Sequence, residues 1–571
     1  KESSAASDVY KRQVLIVFLM IVSLNADFIP ASANAFKTVK KDTTLNWSQF
    51  LGNLELQGVS DAKTPRTSEE LKENWRYYEN GGWEVTPGTP IVVGDYVYCY
   101  VNEKILKINS ETGKVEASAS APGSAMFFIY ACYGDGKIFV PRKNLETGVS
   151  NIIAYDADTL EQLFVTENIK TKADLQTPVM YYKGYIYFGT YGGNAVYGCY
   201  PTKDNDTTKA DEVVNATWTK TTKATVGFSW NGATFIGDTC IFADNGIKRR
   251  EGSNVYAVNY KTGEEIDRFT LPKNAEVKST IVYYEKNNRV YISAADNGHA
   301  SIRSMEVNKN GTFNKESLKT YTSTTEGGGT QSTPVIYNDR LYLGGGGATM
   351  GSAEPFHVID ANTLEEIYKI DEIITKGSAA ITTAYATKEN NQQVYIYMVP
   401  YAPDNDQAAL YIIKDSVGQT APDYEKVLGV GTSQYCSQSI DIDKNGNLVF
   451  YNDAKILYSF GKKNKENSII TGKDVFNQID RLPETNDFKY YNDFEIRRIK
   501  ERYDNLSSEE KAKVTNIQKL NDILLVSSEN PIERMNKGIE SLPAIEDITL
   551  EYEQKIQTLI TGYNLSLIHI S

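Results

Sequence analysis

An aliphatic residue followed by Tyr or Phe recurs eight times, at Val97-Tyr98, Ile138-Phe139, Ile186-Tyr187, Ile241-Phe242, Val290-Tyr291, Leu341-Tyr342, Val394-Tyr395 and Val449-Phe450. The steps between the aromatic residues are 41, 48, 55, 49, 51, 53 and 55. A period of about 50 in strand-type sequence marks a repeat array, and a closed ring of sheets is the arrangement it predicts. One sheet cannot bury both of its faces, whereas eight in a ring can. The clearest copy of the unit is residues 331–344, QSTPVIYNDRLYLG. There Ser-Thr-Pro opens a short apolar run, Asn338-Asp339 supplies a tight turn, and residues 340–344 alternate as a second strand.

Each unit continues into a third strand, a turn and a fourth strand. In the first unit, residues 96–101 and 104–109 are strands, and residues 109–114 (NSETGK) form the turn. Asn caps it and Gly takes the positive-φ position. Related turns recur at 156–160 (DADTL), 259–263 (NYKTG) and 360–364 (DANTL). The eighth unit, residues 437–460, stops after its third strand. A lone strand around Trp75, ahead of the first unit, is expected to supply the missing outer strand and so close the ring.

This pattern of Thr-Pro, turn, aliphatic-Tyr strand and "IDxxTG" strand resembles the quinoprotein-like propeller repeat over about residues 46–462. The resemblance implies four-stranded blades around a central channel. The fold class expected is therefore mainly β: an eight-bladed β-propeller with a C-terminal α-helical bundle repeat region.

The segments outside the repeats read differently. Residues 8–13 (DVYKRQ) and 565–571 (LSLIHIS) resemble translations of the two strands of a common transposase sequencing adaptor. Residues 1–13 and 565–571 are accordingly expected to be foreign. Residues 14–24 are eleven apolar or small residues, too short to span a bilayer. They fit the apolar region of a truncated signal peptide over 14–35, with A-x-A sites at Ala31-Ser32-Ala33 and Ala33-Asn34-Ala35. The propeller is expected over 36–465.

After that the apolar spacing turns helical. Val475, Ile479 and Leu482 fit one helix, Phe494, Ile496, Ile499 and Tyr503 a second, and Val514, Ile517, Leu520 and Leu524 a third. Ser507 is the expected cap of a helix with an acidic first turn. Ile479, Leu482-Pro483, Ile496 and Tyr503 return 60 residues later as Ile539, Leu542-Pro543, Ile556 and Tyr563. Hence a three-helix module over 466–528 is followed by an incomplete copy over 529–564. Such modules resemble the tandem spacers of bacterial surface proteins.

Composition narrows the chemistry. The net charge of −13 argues against nucleic acid or anionic lipid as partner. Three His leave little material for histidine catalysis or metal binding. Cys99, Cys132, Cys199, Cys240 and Cys436 all lie in apolar strand sequence and read as buried thiols, with a Cys99–Cys132 bridge as the alternative. Quinoprotein dehydrogenases carry vicinal cysteines, a Trp platform, a Glu/Asn/Asp-held metal and a catalytic Asp. None of these is matched here residue by residue, so the resemblance carries fold and not activity. No cofactor is expected, and pyrroloquinoline quinone least of all.

Residues 441–446 (DIDKNG) match the first half of a calcium loop, but Asn452 stands where its terminal Glu would be. A hairpin turn is the preferred reading, with calcium at Asp441, Asp443 and Asn445 as the alternative. Asp244-Asn245-Gly246 and Asp296-Asn297-Gly298 read as further turns, and the glycine runs 327–329 and 344–347 as flexible ones.

The set of greatest interest precedes the innermost strands, on the rim of the expected channel: Trp83, Phe127, Gln176, Trp230, Lys278, Gln331 and Tyr435. Aromatic rings with amides suit a carbohydrate or peptide site. The alternative is that the rings pack between blades. The reading that follows is an exported bacterial cell-surface protein, monomeric, whose propeller binds or scaffolds a glycan or protein without catalysis and whose mature chain has no membrane span. Its rivals are a quinone-dependent oxidoreductase or polysaccharide-degrading enzyme, and an envelope-assembly scaffold.

Overall fold

The computed structural model describes residues 47–52, 56–78, 89–101, 103–123, 130–144, 149–169, 175, 177–192, 195–247, 251–346, 354–399, 409–428, 439–451, 456–464, 469–482, 484 and 493–526. Its strands form eight separate sheets, each built on four strands in up-and-down order, with a short fifth strand added in three of them. These are the eight blades, with strand A innermost and strand D outermost. The A strands are Ile91–Val93, Cys132–Gly134, Met180–Tyr182, Thr234–Ile236, Val282–Tyr284, Val335–Tyr337, Ala380–Thr382 and Asp441–Ile442. The repeated aliphatic-aromatic pair lies in strand B of every blade. All eight aliphatic members are buried, as are the aromatic ones from Tyr98 to Phe450. Each fully buried side chain of this kind is worth about 1.5–3 kcal/mol.

The ring closes as the sequence predicts. Leu71–Tyr78 is strand D of blade 8 and runs antiparallel to strand C, Ile456–Lys462, with Trp75 opposite Ser459. Trp75 also bridges onward to blade 1, where its Nε1 donates to the Ser110 carbonyl at 2.8 Å. The ring lies over Gly113, where an added Cβ would come within 2.7 Å of Trp75 Cγ. Blade 3 repeats the clamp on blade 4. Trp218 Nε1 donates to Tyr260 O at 2.9 Å, and the ring covers Gly263.

The turns between strands C and D follow one design. The side-chain oxygen of Asn109, Asp156, Asn259 or Asp360 accepts from the backbone N–H groups two and three residues on. The positive-φ position is Gly113 and Gly263 in two copies, but Leu160 and Leu364 in the others, at φ 60° and 62°. Asn338 and Asp339 both take positive φ, the geometry of a tight hairpin turn. The 344–346 glycines depart from the expected loose turn. They are buried, and a Cβ on Gly345 would sit 1.9 Å from the Pro355 carbonyl oxygen, so glycine is needed there for close backbone packing.

Between blades, burial is completed by satisfied polar groups. Arg340 pairs with the fully buried Asp415 through two bonds of 2.5 and 2.9 Å, and the hydroxyls of Tyr342 and Tyr368 donate to the same carboxylate. Cys99, Cys132, Cys199 and Cys240 are free and buried, so no Cys99–Cys132 bridge forms, while Cys436 lies outside the described residues.

The innermost strands do not enclose an open bore. The stretch ahead of blade 8's outer strand enters the ring and fills it. Trp47 bridges Val92 of blade 1, the Ser48 carbonyl accepts from Tyr133 N of blade 2, and the Gln49 amide oxygen accepts from Tyr181 N of blade 3. Further on, Val59–Ser60 runs parallel to Ala380–Thr382 of blade 7. Phe50, Leu51 and Leu56 are buried in one cluster with Met180, Ala233, Val335, Ala379 and Ile381.

The chain divides into two compact units, residues 44–481 with 502–514, and residues 1–43, 482–501 and 515–571. Within the first, helix α1 (Gly472–Arg481) buries Val475 and Ile479. Its Asp474 pairs with Lys63 at 2.7 Å. Arg502, on α2 (Asp493–Asn505), donates to Asp61 at 2.8 Å with both side chains almost fully buried. Helix α3 (Ser508–Lys511) carries the expected cap, Ser507 accepting from Glu510 N. In the second unit, Leu482, Ile496 and Ile499 are buried, as are Leu520 and Ile523 of α4 (Ile517–Val526). The incomplete copy over 529–564, the tails 1–13 and 565–571, and residues 14–35 lie outside the described residues.

Candidate functional site

Two residues before the first paired residue of each A strand stands one inward position: Thr89, Tyr130, Pro178, Gly232, Thr280, Thr333, Ser378 and Ser439. Through blades 4 to 8 these positions hand one hydrogen bond to the next blade. Gly232 N donates to Thr280 Oγ1 at 2.9 Å, Thr280 N to Thr333 Oγ1 at 3.0 Å, Thr333 N to Ser378 Oγ at 3.1 Å, and Ser378 N to Ser439 Oγ at 2.9 Å. The Tyr130 hydroxyl meets Thr89 and Ser439, and burial pushes its pKa up to about 12. The Ser-Thr-Pro opening thus has a physical role. Its hydroxyl satisfies a buried N–H of the preceding blade, which would otherwise cost about 1–3 kcal/mol.

Two residues further out on the same face come Trp230, Lys278, Gln331 and Lys376, all half-buried in otherwise buried stretches. Together with part of the collar, Trp230, Gln331 and Lys376 line a small cleft on the propeller axis. The collar contributes Tyr130, Pro178, Thr333, Ser378 and Ser439 to its lining, and the positions two residues earlier contribute Trp230, Gln331 and Lys376. Phe50, from the segment that fills the ring, packs against Tyr130 with ring centroids 4.5 Å apart and makes the floor.

The site is preorganised. Trp230 is held at φ 58°, a left-handed conformation costly for a non-glycine residue. Neighbouring bonds enforce it: Ser229 N donates to Asn245 Oδ1 at 2.7 Å, and the Asn231 amide donates to Ser229 O and Val277 O. Lys376 is fixed by its neighbours in the same way. Thr375 Oγ1 donates to Val399 O at 2.7 Å, and Ser332 Oγ donates to Gly377 O at 3.1 Å. Burial, with the charge of Lys278 added, lowers the Lys376 amine to about 8. Lys278 itself pairs with Glu276 at 3.2 Å.

Of the residues expected at the rim, Trp230 and Gln331 therefore meet in the cleft, and Lys278 lies within electrostatic reach. Trp83, Phe127, Gln176 and Tyr435 lie outside the described residues. Sequence reading missed Lys376, Tyr130 and Phe50. Lys376 was findable by its offset from the collar, since Trp230, Lys278 and Gln331 share it. Blade 7 opens with Lys-Gly-Ser-Ala and blade 4 with Trp-Asn-Gly-Ala, so the offset from the inner strand, not the Ser-Thr-Pro opening, marks the position.

The alternative calcium loop resolves as a hairpin turn. Asp443 Oδ1 accepts from Asn445 N and Asn447 N, both at 2.8 Å, and Oδ2 from Asn447 Nδ2 at 2.7 Å. Burial raises Asp443 to about 6 and lifts Asp441 well above the carboxylate range. Among the described residues no group of three or more His, Cys, Asp or Glu is placed to hold a metal ion. Nor is any helix there long and apolar enough to cross a membrane.

No family model matches this chain, and no curated protein does. Solved structures do. A europium-containing methanol dehydrogenase aligns over 74% of this chain and 99% of its own, at 10% identity and a TM-score of 0.52. The quinohemoprotein alcohol dehydrogenase of Comamonas testosteroni aligns over 74% and 82%, at 10% identity and 0.52. BamB of Moraxella catarrhalis aligns over 69% and 98%, at 10% identity and 0.44. The chain has the fold of the quinoprotein dehydrogenase propellers. At such identity fold alone is shared.

The quinone site this fold suggests can be tested on the residues present. A quinone held over a metal needs converging carboxylate or amide donors beneath a flat apolar slot. Here the floor is Phe50 on Tyr130, the wall is hydroxyl-rich, and the charged group on the cleft is Lys376. The described residues do not fit the metal-bound group.

Proposed function

We propose that the propeller is a non-catalytic binding module whose axial cleft takes a sugar residue of a glycan, in an exported bacterial protein displayed at the cell surface. The observation carrying this reading is the convergence of Trp230, Gln331, Lys376 and three collar hydroxyls on one cleft with an aromatic floor. An indole face supplies stacking area to the apolar side of a pyranose, while amide and hydroxyl groups fix its orientation. The held φ of Trp230 supports it, because a preformed ring position spares ordering entropy on binding. The apolar segment over 14–24, read as a signal peptide, supports export. The helical module over 466–528, read as a spacer, supports display.

The test is a glycan array probed with the whole chain, repeated with Trp230→Ala. Binding that falls at least tenfold in the variant, with the protein still folded by near-ultraviolet circular dichroism, is the expected result. Binding unchanged by Trp230→Ala places the ligand on another surface. Dye-linked oxidation of an alcohol or sugar by the purified chain with pyrroloquinoline quinone and calcium sinks the non-catalytic reading.

A further inference from the structure

We infer that Glu354, His357 and Glu366 form a pH-sensitive latch across the seam between blades 5 and 6, closed in mildly acidic solution and released as the pH rises, whatever the cleft binds. His357 lies on strand C of blade 6 (Phe356–Asp360) and is fully buried, as is Glu354 just before that strand. Its Nε2 is 3.1 Å from Glu354 Oε1, and its Nδ1 is 2.7 Å from Glu366 Oε2 on strand D. A carboxylate only accepts hydrogen bonds. A ring held between two of them therefore carries a proton on both nitrogens, which is the imidazolium.

The latch reaches across the seam. Tyr321, on strand D of blade 5 (Phe313–Thr322), donates its hydroxyl to Glu366 Oε2 at 2.5 Å and lies 3.2 Å from His357 Nδ1. Ala300 N, also of blade 5, donates to Glu354 Oε2 at 3.4 Å. The flanking strands of blade 6 set Lys369 and Leu343 opposite His357, and Lys369 pairs with Asp371 at 3.1 Å. The next seam is a useful contrast. Blades 6 and 7 are joined by Arg340 and Asp415, and a guanidinium keeps its charge at every accessible pH. Between blades 5 and 6 the cation is an imidazolium, which can lose its charge. The Glu366 side chain is 32% exposed, so the buried ring can exchange its proton with water through it.

The direction of the switch follows from the partners. Burial pulls His357 down, but the bonds and charges of Glu354 and Glu366 outweigh it and hold the ring above the ordinary 6.5. His357, then Tyr321, hold Glu366 below its ordinary 4.5 against the effect of burial. The contribution of His357 to stability is full below 6.5 and is lost as the pH rises through its raised pKa. That of Glu366 is present above 4.5 and is lost as the pH falls through its lowered one. The latch is therefore firmest between 4.5 and 6.5. Once the ring is neutral, Glu354 is a buried carboxylate facing an uncharged partner, with the long bond from Ala300 N beside it. The release bears on the rim, because the backbone of Glu354 is wedged between the two glycine runs. A Cβ on Gly327, in the loop that leads to Gln331, would lie 2.4 Å from Glu354 N, and one on Gly345 would lie 2.3 Å from Glu354 O.

The experiment is an NMR titration of the full chain carrying isotope-labelled histidine, with the His357 signal assigned by elimination in His299→Gln and His569→Gln. The expected result is an imidazolium with both ring nitrogens protonated that persists above pH 6.5, and whose midpoint falls in Glu366→Gln. A midpoint at or below 6.5, or one unmoved by Glu366→Gln, overturns the inference. Hydrogen exchange over residues 326–332 and 354–360 reads the latch itself. At about pH 5.5 it should run about tenfold faster in His357→Gln than in the parent, and the ratio at matched pH should fall toward one as the pH approaches about 9. A ratio that stays constant over that range, or equal exchange in the two chains at the acidic end, also overturns it. The titration of the parent decides the matter by itself should His357→Gln fail to fold.

Discussion

The two halves of the ring are held together at the axis by different means. From blade 4 to blade 8 each inner loop donates a backbone N–H to a hydroxyl of the next, through Thr280, Thr333, Ser378 and Ser439. Across blades 1 to 3 the repeat positions meet through the Thr89–Tyr130 bridge and a bond from Val179 N to Tyr130 O, and residues 47–49 add further links. Trp47 bridges Val92, the Ser48 carbonyl takes Tyr133 N, and the Gln49 side chain takes Tyr181 N. The first half is stitched by an unbroken run of backbone-to-hydroxyl bonds between repeat positions; the second lacks that run and leans more on an inserted segment, which also pairs with blade 7. The cleft lies over their junction, with its cationic and hydroxylic wall on the first half and its aromatic floor on the second. A propeller can therefore hold its axis with repeat-encoded bonds where they exist and with an inserted chain where they do not.

The sharpest way to break this comparison is to remove the inserted chain's anchor. Leu56 is fully buried among residues of both halves, including Met180, Val335 and Ala379. Leu56→Ala should cost about 2–5 kcal/mol in urea unfolding, from lost transfer energy and the cavity left behind. A loss below about 1 kcal/mol would mean that the ring holds without its filling segment. The next effect is on the stitched half. Thr333→Ala leaves Thr280 N without its acceptor in a buried site and should cost about 1–3 kcal/mol. Gln49→Ala removes the matching bond to Tyr181 N on the other half, where the group is only part-buried, and should cost about 0.5–1.5 kcal/mol. Equal losses from the two changes would erase the distinction between the halves.

The same contrast explains what could be read from the sequence. Strand ends, the Asn338-Asp339 turn, the Asn/Asp-capped turns and the closing strand at Trp75 all obey local rules of periodicity and turn chemistry, and all are found where those rules place them. The filling of the channel was illegible. Residues 47–60 carry no repeat, and their partners lie on blades 1, 2, 3 and 7, far away in sequence. At the site, Trp230 and Gln331 were legible from their place before the A strands. Lys376 shares that place and was overlooked, whereas Phe50 comes from the inserted chain, where no repeat position marks it. The roles of the Asp443 turn and of Leu160 in a glycine position show the limit of motif reading: the backbone conformation is specified, and more than one side chain can satisfy it.

The last effect, which vanishes as pH rises, concerns the charge on the stitched half. Lys376 has its amine lowered from 10.5 to about 8, first by burial and then by Lys278. The sign of the linkage follows. Below pH 8 the amine is protonated in folded and unfolded chains alike, and the folded state bears the full penalty of a part-buried ammonium. Between pH 8 and 10.5 the folded chain sheds the proton first, so this group's contribution to stability rises with pH, and above 10.5 it is flat. The group keeps some contact with solvent, so the penalty at pH 7 is about 1–2 kcal/mol rather than the whole of the shift. Lys376→Met should therefore stabilise the protein at pH 7 by about that amount. The difference between variant and parent should shrink steadily from pH 8 to 10.5, whatever the tyrosines contribute, since they are common to both. Urea midpoints measured at matched pH values check it. A destabilised variant at pH 7, or a difference that does not change with pH, would show that Lys376 is held by compensating partners.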